Sequence, residues 1–323
     1  MTPISRRTTL AALLGAMVLP AGRAKAAGLD ELRLDWATYN PVSIVIKEQG
    51  LIEKEFAADN IPVVWVQSLG SNKALEFLTA GSIHFASTAG AAALINRING
   101  NPVRSVYVFS RPEWTALVTL KDTPINAVAD LKGKKVAVTR GTDPHVFLVR
   151  ALADAGLTDK DVTFVLLQHA DGRLALTRGD VDAWAGLDPM MASAELQDGA
   201  RLFYRKPEAN TWGILNVSEA FAAAHPDVVK RVIKVYEEGR KWALANPDAL
   251  AELLAKTAKI PVEVAKKQLG ERTDLTNSKI GDAQRDSILA AGKALQSAGV
   301  IDAGTDVQSA VDKLIDRSFT EAL

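Results

Sequence analysis

There is no cysteine among the 323 residues. That excludes a disulfide scaffold, a thiolate metal site, a cysteine nucleophile and a lipid-bearing N-terminal cysteine. Histidine is scarce too. His84, His145, His169 and His225 stand far apart, with no paired metal-ligand spacing. An excess of basic charge is also missing, because Lys plus Arg and Asp plus Glu both count 38. Without a basic stripe the chain has nothing to lay along a phosphate backbone, so nucleic acid is not an expected partner. No segment reaches the roughly 18 uncharged apolar residues of a membrane span.

What is present is an ordinary globular composition, 48% hydrophobic and 24% charged. The length suits one large or two medium domains. Residues 1–26 carry a separate message: Arg6-Arg7, an apolar run from Leu10 to Leu19, Pro20, and the small-x-small triplet Ala24-Lys25-Ala26. This reads as a secretory signal peptide cleaved after Ala26. Ser5-Arg6-Arg7 is compatible with the twin-arginine route. Cleavage removes Arg6, Arg7, Arg23 and Lys25 and no acidic residue, leaving 34 basic against 38 acidic side chains, net −4. The mature chain is expected to be an exported periplasmic protein.

From Leu32 onward, strand and helix patterns alternate. Leu32–Trp36 alternates like a strand, and Asn40-Pro41 caps and opens a helix that stops at Gly50. Strand patterns at Ile61–Val66, Ile83–Ser87 and Val103–Phe109, with helices between them, make a βαβαβαβ unit. A second unit begins near Ser110–Trp114. It has strand patterns at Ala116–Leu120, Val136–Val138, Val162–Leu167, Val181–Gly186 and Leu202–Tyr204, and helices that include one expected over Arg173–Arg178. Thr211–Val217 is a further strand, and everything beyond it reads as helical. The expected fold is α/β: a two-lobed clamshell in which each lobe is a mostly parallel, doubly wound sheet, with a helical C-terminal extension. Residues 27–112 and 211–323 form lobe 1, and 113–210 form an inserted lobe 2.

Four strand-to-helix turns carry the chemistry: Tyr39-Asn40-Pro41, Ser87-Thr88-Ala89-Gly90, Arg140-Gly141-Thr142 and Leu187-Asp188-Pro189. Ligands of open parallel sheets sit beyond the carboxyl ends of the strands. In HFASTAGAAALINRI, residues 84–98, the helix opens on small residues with no acidic side chain. Its free N–H groups are an expected anion site. Taken alone, a Ser or Thr at a helix start is more often a cap, Gly141 a turn residue, Asp188 an N-cap, Trp184 core and His145 packing. Recurrence of the turn in both units is the stronger signal.

In family order, Leu32–Asn40, Gly81-Ser82-Ile83-His84-Phe85, Ala129–Ala137 (ADLKGKKVA), Gly141-Thr142…His145, Gly179–Trp184 (GDVDAW) and Asp188-Pro189 resemble the periplasmic solute-binding proteins of ABC transporters in the aliphatic sulfonate, taurine and nitrate group. The likeness spans about residues 30–260, and the sulfonate-binding branch fits it best through His145 and the Asp182–Pro189 run. It implies a clamshell with two hinge crossings, near Ser110–Trp114 and Lys206–Asn210. It implies a small anionic ligand, an organosulfonate, and an inner-membrane permease with its ATPase as partners, for a monomer without cofactor or metal. It also implies that Asp188 faces the cleft, where it could hold the amine of taurine. The expected ligand set is Tyr39, Asn40, Ser87, Thr88, Ala89, Gly90, Gly141, Thr142, Trp184 and Asp188. Within it, the N–H groups of Thr88, Ala89 and Gly90 and the hydroxyls of Thr88 and Thr142 hold the head group.

Two other functions compete. An enzyme related to a desulfinase would need the cysteine this chain lacks, and no Ser-His-Asp spacing replaces it. A binder of nitrate or of a thiamine pyrimidine precursor would use the same clamshell; the second would need aromatic surface such as Trp36, Tyr39, Trp114, Trp184 and Trp212.

Overall fold

The computed structural model describes residues 28–321 and 323. The signal peptide and its cleavage site lie outside the described residues.

The first lobe starts with β1 (Leu32–Trp36), α1 (Pro41–Glu48), α2 (Leu51–Phe56), β2 (Val63–Gln67), α3 (Ser71–Thr79), β3 (Phe85–Ala89), α4 (Gly90–Ile98) and β4 (Val103–Pro112). Local chemistry sets the boundaries. The Asn40 side chain accepts the Ser43 N–H at 3.1 Å, and Pro41 fills the first helical position of α1, where a missing donor costs nothing. The chain then crosses to β5 (Leu117–Leu120), β6 (Lys135–Val138), α5 (Asp143–Asp154), β7 (Thr163–Leu166), α6 (His169–Arg178), β8 (Ala183–Ala185), α7 (Met190–Gln197) and β9 (Ala200–Tyr204). It returns as β10 (Gly213–Ser218) and continues through α8 (Glu219–Ala224), α9 (Pro226–Ala245), α10 (Pro247–Ala258), α11 (Val262–Arg272), β11 (Thr273–Asp274), α12 (Asp282–Ser297) and α13 (Val307–Leu314).

The first sheet has the order β11-β4-β10-β3-β1-β2 and the second β7-β6-β8-β5-β9. In the first, β1 to β4 share one direction, and in the second β6 to β9 do. The exceptions are β10 and the short β11 in one sheet and β5 in the other. The crossings explain β5 and β10. A strand arriving from the other lobe must start at the cleft edge, where its neighbours end, so it can only pair antiparallel. Leu117 at the start of β5 accordingly faces Ala185 at the end of β8, and Gly213 at the start of β10 faces Ala89 at the end of β3. The two-residue β11, paired with Arg111 and Pro112 at the end of β4, interrupts the tail that the sequence pattern reads as wholly helical.

Apolar side chains cover both faces of each sheet. In the first lobe Leu34, Val45, Tyr107 and Tyr236 fill one side, and Leu94, Val108, Ile214 and Ile288 the other. In the second, Leu117, Val136, Phe147 and Leu152 oppose Ala137, Leu176, Trp184 and Met191. Two-sided burial is what a doubly wound sheet requires. Among the described residues no helix is long and apolar enough to cross a membrane. The lobes touch: α4 and α12 lie against α5, and α11 lies against α7.

Candidate functional site

Where the two sheets aim their carboxyl ends at each other, a narrow pocket of about 10 Å³ lies between the lobes. Tyr39 and Ser71 form its first-lobe wall, Trp114 stands at the crossing, and Thr142, Asp143, Pro144, His169 and Leu187 form the second-lobe wall. Among the described residues no Lys or Arg lines it. Tyr39 and Trp114 meet edge to face, with ring centroids 6.0 Å apart. The Tyr39 hydroxyl donates to the Ser87 carbonyl at 3.0 Å, which fixes the ring.

The helix starts around this pocket differ in what they have left to offer. At α4 the donors are spent. Ser87 N–H and hydroxyl both go to the buried Asp35, at 2.8–3.0 Å. Ala89 N–H donates to Ser71 Oγ at 3.0 Å, Gly90 N–H to the Trp212 carbonyl at 3.1 Å and Ala91 N–H to Thr211 Oγ1 at 3.1 Å. Thr88 hydroxyl donates to the Ala89 carbonyl and accepts from Asn216 Nδ2, at 3.0 and 2.7 Å. The strand β10 and the residues before it, entering from the crossing, lie over the start of α4 and take its donors. The expectation that Thr88, Ala89 and Gly90 hold an anion is corrected on this ground.

The start of α3 is different. Gly70 is its N-cap, and no side chain caps it. Lys73 and Ala74 N–H return to the Gly70 carbonyl, while the Ser71 and Asn72 N–H groups, in the first turn, have no intrahelical acceptor. Ser71 Oγ accepts from Ala89, so its hydroxyl proton is still to be given. Across the pocket, the Thr142 and Asp143 N–H groups at the start of α5 likewise have no intrahelical acceptor. The Thr142 hydroxyl itself donates to the Thr139 carbonyl at 2.6 Å and is not available to an anion.

The remaining expected residues sit elsewhere. Asn40 is buried behind the wall, with its Nδ2 on Ser87 Oγ at 2.8 Å. Gly141 turns with φ +78° and lies at the seam, where an added Cβ would be 3.6 Å from Asn72 Cβ. Trp184 is core, wedged under Gly172, where a Cβ would come within 2.7 Å of its Nε1. Asp188 does not face the pocket with a free carboxylate. It takes both Arg272 Nε and Nη2, at 2.7 and 3.0 Å, and the Ala192 N–H at 2.9 Å. Burial works against the Arg272 charge, but Asp188 and Glu195 more than offset it and push its pKa up. An anchored carboxylate of this kind is not a seat for a ligand amine.

Asp143 is likewise engaged. It accepts from Trp114 Nε1 at 2.9 Å and from the N–H and hydroxyl of Thr211, at 2.8 and 2.7 Å, which ties α5 to both crossings. Burial raises its pKa, and those three donors pull it back. Burial also pushes Asp35 up to about 6, against the pull of its Ser87 bonds.

Ser71, Trp114, Asp143, Pro144, His169 and Leu187 are the lining residues that the expected ligand set omits. Ser71 reads as a plain cap. His169 has a usable signal: it follows the Val162–Leu167 strand pattern directly, a fifth strand-to-helix turn. The sequence pattern starts that helix at Arg173, whereas α6 starts at His169. Among the described residues no group of His, Asp and Glu side chains could hold a metal ion.

Residues 53–250 match the family described as NMT1/THI5 like. A protein of Escherichia coli (strain K12) named as an aliphatic sulfonates-binding protein is 30% identical over 249 residues, covering 76% of this chain and 77% of that one. The alkanesulfonate-binding protein of Xanthomonas axonopodis pv. citri, solved bound to MOPS, superposes with a TM-score of 0.80 at 25% identity, covering 91% of this chain and all of its own (100%). The periplasmic aliphatic sulphonate binding protein of Escherichia coli does so with 0.74 at 26% identity, covering 87% and 96%.

Proposed function

Because the chain belongs to the NMT1/THI5-like family, we propose that it is the substrate-binding component of an ABC importer. It captures a small organosulfonate, an alkanesulfonate or taurine-like anion, between its lobes and hands it to an inner-membrane permease with its ATPase. It works in the periplasm as a monomer, after removal of residues 1–26, and it is a binder rather than an enzyme. Residues 27–112 and 211–323 move against residues 113–210 as the clamshell closes.

One observation carries the reading: the pocket is walled by helix starts of both lobes and, among the described residues, by no cationic side chain. A sulfonate stays ionised at any working pH, so its site needs donors and no proton acceptor for the head group. Aligned N–H dipoles at helix starts serve an anion without formal positive charge. The head-group donors assigned here are the Ser71 hydroxyl and N–H, the Asn72 N–H and the N–H groups of Thr142 and Asp143. Tyr39, Trp114 and Leu187 then face the carbon chain, and the names of the relatives agree with this ligand class. The edge-to-face wall of Tyr39 and Trp114 favours one second reading, a small heteroaromatic such as a thiamine pyrimidine precursor.

A thermal-shift panel of short alkanesulfonates, taurine, sulfate, nitrate and a thiamine pyrimidine precursor tests the choice. A sulfonate at a hundredfold its Kd should stabilise the protein by about 2.7 kcal/mol. Stabilisation by nitrate or the pyrimidine, with every sulfonate inert, would overturn the assignment.

A further inference from the structure

His169 opens α6 and forms part of the pocket wall at 1% exposure. Its two ring nitrogens are in different situations. Nδ1 lies 3.1 Å from Thr139 Oγ1. That hydroxyl donates its own proton to the Leu167 carbonyl at 2.7 Å, so it meets Nδ1 only as an acceptor. Nδ1 therefore carries the hydrogen, and in the neutral ring Nε2 presents a lone pair. Nε2 has no partner in the structure, and neither has Asn72 Oδ1 on the facing lobe. The two acceptors flank Gly70: a Cβ placed there would stand 2.9 Å from Asn72 Oδ1 and 3.0 Å from His169 Nε2. The two side chains close on the Gly70 backbone, so any larger residue there would collide with them.

Burial keeps the ring neutral and pushes its pKa down to about 3. A buried acceptor without a donor costs free energy, roughly 1–3 kcal/mol. The pocket thus offers N–H and O–H donors and, in His169 Nε2, one acceptor that needs a donor in return.

We propose that His169 Nε2 is the specificity element of the site and selects sulfonates that carry a hydrogen-bond donor on the carbon chain, an amino- or hydroxyalkanesulfonate over a plain alkanesulfonate. The inference rests on the organosulfonate reading above and moves the role expected of Asp188 to a residue whose acceptor is unspent. A ligand N–H or O–H satisfies Nε2, whereas a methyl group in the same place leaves it orphaned. Sites built to hydrogen-bond a substrate group reject the analogue that lacks it far more strongly than apolar pockets reject a small change of size.

Taurine, isethionate and propanesulfonate have the same number of heavy atoms and differ only in the terminal amine, hydroxyl or methyl. Calorimetric titration of the full-length protein with the three should show taurine and isethionate bound about tenfold or more tightly than propanesulfonate. In His169→Leu the three should converge, with propanesulfonate within about threefold of its parent affinity. His169→Gln, which restores an acceptor, should recover part of the preference. Equal affinities in the parent would overturn the proposal, as would a preference that survives in His169→Leu. So would an equal loss for all three ligands in that variant, because Nε2 would then be serving the sulfonate itself. If none of the three binds, it is the organosulfonate reading that falls.

Discussion

Two helix starts in the first lobe make opposite impressions and play opposite parts. α4 opens on Ser87-Thr88-Ala89-Gly90, with no carboxylate in its first turn, and looks like a vacant anion site. Yet Asp35, Ser71, Trp212 and Thr211 have claimed the donors of Ser87, Ala89, Gly90 and Ala91. α3 opens on Gly70-Ser71-Asn72 and looks capped, yet no side chain caps it and its first hydroxyl faces the pocket. The difference lies in what passes over each helix. A chain returning from the other lobe must start its strand at the cleft edge, so β10 and the residues before it run beside the end of β3 and cover the start of α4. At α3 the Ser71 hydroxyl, which accepts from Ala89, faces the pocket instead. A helix start is a ligand site only when the fold leaves it uncovered.

The largest effect extends that comparison to a third start, at Asp188 before α7. Arg272 and Asp188 are both buried, and removing one partner strands the other's charge. Arg272→Leu should therefore cost about 3–5 kcal/mol of stability by chemical denaturation. Any change in affinity should be the same for taurine and propanesulfonate. A variant that keeps its stability and loses taurine alone would return Asp188 to the ligand.

A smaller effect concerns α6. His169 is buried neutral with a pKa near 3, below its usual 6.5. Between those values the unfolded chain binds a proton that the folded one does not, so stability is lost as pH falls. Between pH 7 and pH 5 the parent should lose more stability than His169→Leu, in which the other titrating groups are unchanged. Equal losses would mean that the ring is not buried in the neutral form.

Much of the fold was legible in the sequence, for identifiable reasons. Leu32–Trp36 alternates and is β1, and Asn40-Pro41 starts α1 as a cap followed by a proline should. Such signals are local: a side chain, a proline or a glycine acting within one turn. The site was legible only in part. Tyr39 and Thr142 do line the pocket, and the general device of facing helix starts is there. Who covers a start is a long-range matter. Arg272 meets Asp188 across 84 residues, and Thr211 meets Ala91 across 120. No periodicity or cap rule in a single chain encodes such partners, and the two-residue β11 beside the hinge is too short to leave a pattern.

The most direct measurement compares one variant at each of the two helix starts, titrated calorimetrically with the tightest-binding sulfonate from the thermal-shift panel. Ser71→Ala removes a hydroxyl offered to the anion, so Kd should rise about tenfold or more, on the order of 1.4 kcal/mol. Thr88→Ala breaks only bonds within the protein, to Ala89 and Asn216. It should cost about 1 kcal/mol of stability while leaving Kd within about threefold. The reverse pattern, with Thr88→Ala weakening the sulfonate and Ser71→Ala leaving it unchanged, would contradict the account and place the anion at α4.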